Sequence, residues 1–169
     1  MARQDEKARQ IELLQENIQT IRKLAGWSID DLGERIGVTK QTISNIENKR
    51  TTMTLTQYIA IRSILDYEMQ EHPENEVLSK SISLLLDAEE NLSKEDYGKL
   101  KESIDTIAAA TAGGAEKTAL ANMFNAVVDN AVMDSLPVTG IVDNSAGRLW
   151  LKKVLPTDSE LPSAGRQKK

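Results

Sequence analysis

The chain has no cysteine and a single histidine, His72, among 169 residues. Thiolate nucleophiles, disulfides and Cys/His metal sites are therefore excluded, and neither a metal nor another cofactor is expected. Aromatic side chains are scarce, at 4 % of the sequence, so any core must be mainly aliphatic. No stretch approaches the roughly 18 apolar residues of a membrane span. The opening MARQDEKARQ is charged and lacks the apolar segment of a secretory leader. These absences lead to the expectation of a cytoplasmic protein with no membrane partner.

Net charge is −5, which at first argues against a nucleic-acid partner, but the charge is unevenly distributed. Residues 1–70 carry 10 basic and 10 acidic side chains, residues 71–145 carry 5 and 14, and residues 146–169 carry 6 and 2. The acidity thus belongs to the middle of the chain. A DNA-binding face on the first segment is compatible with it, because charges are screened over roughly 10 Å in physiological salt.

Hydrophobic periodicity is helical almost throughout, predicting an all-α fold. Leu14, Ile18, Ile21 and Leu24 mark one side of a helix over 11–25. "SIDD" at 28–31 has the form of a capping box, with Ser28 as N-cap and Asp31 reaching back to it. The helix it starts buries Leu32 and Ile36, ends at Gly37 in a left-handed residue, and hands over to a helix capped by Thr39. Thr54 and Gln57 repeat the capping device ahead of Leu55, Tyr58, Ile61 and Leu65. Trp27 and Tyr58 read as packing residues. This first unit, residues 8–70, is followed by a charged linker at 71–76 broken by Pro73.

Residues 77–155 read as a mainly helical oligomerisation or regulatory region. Leu78, Ile82, Leu85 and Leu86 mark one helix. Ser93 opens another with Leu100, Ile104, Ile107, Ala108 and Thr111 in register. After Gly113 and Gly114, a third stripe holds Leu120, Met123, Phe124, Val127, Val128 and Ala131. Such stripes are covered either by a bundle within the chain or by a dimer interface, and both can hold together. Residues 137–156 admit two readings, a hairpin around Asp143 and Asn144 or a short helix from Ser145 ended by Pro156. Trp150 within them is either an interface anchor or buried in its own subunit. Residues 156–169 are polar and basic and read as a disordered tail.

The stretch "GVTKQTISNIENKR" at 37–50 carries the functional signal. Leu32, Ile36, Val38, Ile43 and Ile46 form the buried side of a helix, glycine turn and second helix. The second helix keeps a polar N-terminal face. On DNA, Gln41 suits adenine N6/N7, Lys40 suits guanine O6/N7 or a phosphate, and Asn45 reaches the next bases. Thr42 offers a methyl and a hydroxyl to a thymine methyl or a phosphate.

Residues 18–65 resemble the Xre-type, lambda-repressor-like helix-turn-helix family of bacterial and phage transcription regulators, through "GVTKQTIS" followed by "IEN". The resemblance implies four or five helices in this domain, with the helix after Thr39 lying in the major groove. Base reading then falls to Lys40, Gln41, Thr42 and Asn45. Phosphate contacts fall to Ser28, Asn48, Lys49, Arg50 and Thr51. Arg22 and Glu47 occupy the positions of a structural ion pair. Three residues depart from the family pattern: Ile29 replaces a phosphate-touching glutamine, Gly33 a common alanine, and Lys49 a common glycine. The function implied is that of a dimeric repressor binding palindromic double-stranded DNA.

An enzyme is not expected. His72 lies in the charged linker with no nucleophile beside it, and Glu89-Glu90 and Glu95-Asp96 read as helix surface. Some regulators of this resemblance cleave themselves at an Ala-Gly bond, which occurs at Ala146-Gly147 and Ala164-Gly165. The Ser/Lys dyad for that reaction sits on a sizeable β domain, and too few residues follow either bond to form one. The competing reading is an antitoxin or adaptor whose acidic helical half binds another protein.

Overall fold

The structure, a computed structural model, describes residues 2–87, 89–132 and 149–156. Among them it forms eight α-helices and no strand. The helices are α1 (Ala2–Leu24), α2 (Ile29–Ile36), α3 (Lys40–Glu47), α4 (Leu55–Glu71), α5 (Glu76–Ile82), α6 (Lys94–Ala112), α7 (Lys117–Val132) and α8 (Leu149–Val154). No helix among the described residues is long and apolar enough to cross a membrane.

α1 is longer than its apolar stripe, because residues 3–9 are mostly strong helix formers, exposed or half-buried, that add no apolar periodic signal. It is also the element most of the molecule packs around. Leu14, Ile18, Ile21 and Leu24 are buried in a core shared with α3 and α4. On one flank, Gln15 and Arg22, seven residues apart, bond to the end of α3. On the opposite flank, Asn17 Nδ2 donates to the Tyr97 hydroxyl (3.0 Å) and the Thr20 hydroxyl donates to Asp105, tying α1 to α6. Residues 72–75 make a turn in which Asn75 Nδ2 donates to Leu24 O at 3.1 Å.

The stripes of the later helices are covered within the chain: Leu78, Ile82, Leu100, Ile104, Ile107, Ala108, Leu120 and Phe124 are buried. Met123 departs from the expected stripe and stands 51 % exposed. Its neighbours on the covered side, Leu120 and Phe124, already fill the contact with α6 and α5. α5 widens into a π-helical turn over Ser83–Asp87. Three consecutive leucines cannot share one face of an α-helix, but here Leu84, Leu85 and Leu86 are all buried.

Of the two readings for residues 137–156, a helix is formed over Leu149–Val154; residues 137–148 lie outside the described residues, as does the tail from 157. α8 packs on α1, and Trp150 is buried in its own subunit. The indole N–H donates to Asp66 Oδ2 (2.9 Å), and the ring meets Tyr58 edge-on with centroids 5.7 Å apart. The guanidinium of Arg62 lies 5.2 Å from its centroid and donates to Asp87 at 2.8 Å. Burial in this cluster pushes the Tyr58 hydroxyl up to about 12.

Candidate nucleic-acid interface

Local chemistry sets the angle between α2 and α3. Ser28 Oγ accepts from Asp31 N (3.0 Å), and Asp31 Oδ2 accepts from Ser28 N (2.7 Å), a complete capping box. The backbone N–H of Ser28, followed by its hydroxyl, holds the Asp31 carboxyl below the usual carboxylate range. α2 ends at Gly37 with φ 75°, where the Gly37 and Val38 N–H groups both donate to Gly33 O. A Cβ on Gly33 would stand 2.8 Å from Val38 O, so the helices cross more closely here than alanine allows without a shift. Leu32, Ile43 and Ile46 are fully buried, while Ile36 and Val38 are partly so. Ile29 packs against the core edge.

The polar face expected to read bases is exposed at Lys40 and Gln41 and half-buried at Thr42 and Asn45. Gln41 Nε2 donates to Asn45 Oδ1 at 2.9 Å, one turn on, so the two amides orient each other. Gln41 Oε1 and one Nε2 hydrogen remain to face outward. Thr39 Oγ1 caps α3 through Thr42 N (3.2 Å) and lies 3.0 Å from the Thr42 hydroxyl, which is thereby engaged within the cap. Lys40 Nζ is 3.2 Å from Asp30 Oδ2.

The residues expected at phosphates differ in readiness. Ser28 Oγ accepts from Asp31 N in the cap and its hydroxyl also serves the Asp31 carboxylate, so meeting a phosphate would require the hydroxyl to turn away from Asp31. Asn48 folds back, its Nδ2 donating to Ser44 O at 2.8 Å to close the helix. Lys49 takes φ 55°, and the bonds Lys49 N to Ile46 O and Arg50 N to Asn45 O make a Schellman ending. Lys49 Nζ lies 3.4 Å from Glu16 Oε1. Arg50 and Thr51 are exposed in the loop that follows.

The supporting bonds are buried. Arg22 meets Glu47 through Nε (2.5 Å) and Nη2 (3.2 Å), and Nη1 donates to Trp27 O at 2.8 Å. The two side chains are 8 % and 3 % exposed, so α1 is fixed to the end of α3 by a desolvated pair. Trp27 is buried, with the Arg35 guanidinium 4.5 Å from its ring centroid.

Two residues escaped the sequence reading. Gln15, buried beside Leu14, donates to Ile46 O (2.9 Å) and Thr51 O (2.7 Å) and accepts from Met53 N (3.0 Å). It sets the path of the loop carrying Lys49, Arg50 and Thr51. The signal available was a glutamine inside the arc of an apolar stripe, which must find partners when buried. Asp30 was the other, its contact with Lys40 crossing the turn.

Comparison with family models matches residues 18–72 to the family described as Helix-turn-helix. That match covers about a third of the chain and agrees with the resemblance of residues 18–65 to Xre-type helix-turn-helix domains, a family of DNA-binding transcriptional regulators. No curated protein and no solved structure matches the chain.

Proposed function

We propose that the protein is a sequence-specific regulator, acting in the cytoplasm as a dimeric repressor on a palindromic DNA operator. The observation that carries this reading is the α3 face: a preoriented Gln41–Asn45 amide pair and the Lys40 cation, displayed on a helix whose back is fully buried at Ile43 and Ile46. Preorientation favours binding because less side-chain freedom is lost on contact. Lys40, Gln41, Thr42 and Asn45 read bases in the major groove. Ser28, Lys49, Arg50 and Thr51 meet phosphates on either side, while Asn48 shapes the helix end. A dimer is required because one recognition helix spans too few base pairs to select a site in a genome. Two helices about 34 Å apart read one face of a palindrome.

Equilibrium titration of duplex DNA over a salt series tests the face. Binding should weaken with a log-log slope of about −0.9 for each phosphate neutralised. Arg50→Ala and Lys49→Gly should each reduce the slope by about 1. Absence of duplex binding at low salt, or slopes unchanged in both variants, would contradict the assignment.

A further inference from the structure

Asp30 is a carboxylate on a surface proposed to enter a polyanion, where an unpaired negative charge is repelled. It sits in the first turn of α2, and its Oδ2 lies 3.2 Å from Nζ of Lys40, the first residue of α3. The two side chains are 59 % and 65 % exposed, so the pair is held in solvent, where it adds little to stability. What the pair presents is a cation and an anion side by side at the leading end of the recognition helix.

The major groove has a matching arrangement. Guanine offers the acceptors N7 and O6, and its partner cytosine offers the N4 amino donor. O6 and N4 are hydrogen-bonded to each other and so lie about 2.9 Å apart. An ammonium over N7/O6 and a carboxylate on N4 would therefore keep nearly their present spacing. An A·T pair also sets a donor beside an acceptor, but it gives the ammonium no adjacent N7/O6 pair and places the thymine methyl at the edge. A phosphate would satisfy Lys40 and reject Asp30.

We propose that Asp30 is a specificity-determining residue, and that the Asp30–Lys40 couple selects a G·C pair at the position Lys40 reads. This rests on the DNA-binding function proposed above. Asp30 accepts from cytosine N4, directs Lys40 to guanine and keeps it from non-specific phosphates.

Selection of bound sequences from random duplex DNA, run in parallel on the full chain and three variants, tests the couple. Lys40→Met identifies the position that Lys40 reads. Glu34→Gln removes one exposed negative charge from the same helix and controls for net charge alone. The unaltered protein should enrich G·C at the Lys40 position. Asp30→Asn should reduce that preference by about fivefold or more and raise affinity for unrelated DNA. Glu34→Gln should keep the preference. The proposal is overturned if Asp30→Asn retains the preference, if Glu34→Gln relaxes it equally, or if the Lys40-dependent position is not G·C. Loss of enrichment in the unaltered protein would instead remove the DNA-reading function, and this proposal with it.

Discussion

Lys49 holds a left-handed backbone that most side chains avoid, at φ 55°, in the place where glycine is common in the resembling family. A side chain there costs roughly 1–2 kcal/mol, whereas glycine adopts the conformation freely. Lys49→Gly should therefore raise stability by about 1 kcal/mol, read from denaturant unfolding, while weakening DNA binding. Unchanged stability would mean that the Lys49–Glu16 contact offsets the strain. The capping residues Ser28, Thr39 and Thr54 were legible in the sequence because caps are local: type and spacing within four residues suffice. Gln15 was not legible. Its three partners lie 31 to 38 residues away, and only the folded loop brings them to it.

Among the elements, α2 and the start of α3 could be placed from sequence to the residue, since glycine, caps and apolar spacing agree. α8 could not. Six residues are too few to form a helix alone, and this one depends on long-range contacts. Its anchor is Trp150, whose partner Asp66 is 84 residues distant. Trp150→Ala would remove the buried ring from Tyr58, the cation–π face from Arg62 and the donor from Asp66. A loss of about 3–5 kcal/mol is expected, measured as a shift in the denaturation midpoint. A loss below about 1 kcal/mol would show that α8 adds little to the fold. The π-helical turn at Ser83–Asp87 was equally hidden, because three adjacent leucines fit neither a helical nor a strand period.

Across the whole molecule, α1 joins the helix-turn-helix domain to the acidic helices, bonding to α3 on one flank and to α6 on the other. The all-α class and the helix-turn-helix domain were legible, since periodicity and local motifs carry both. Which flank of α1 the later helices would cover was not, because the partly buried polar pairs Asn17–Tyr97 and Thr20–Asp105 span 80 and 85 residues. The separation of charge lets one chain carry a net of −5 and still present Lys40, Lys49 and Arg50 around α3. The α3 face is proposed to read DNA sequence in pairs, one from each protomer. Its most direct test is selection from random duplex DNA by the unaltered full chain at fixed physiological salt. An enriched palindrome whose half-sites lie about one helical turn apart is expected. A folded protein that enriches no sequence would contradict it.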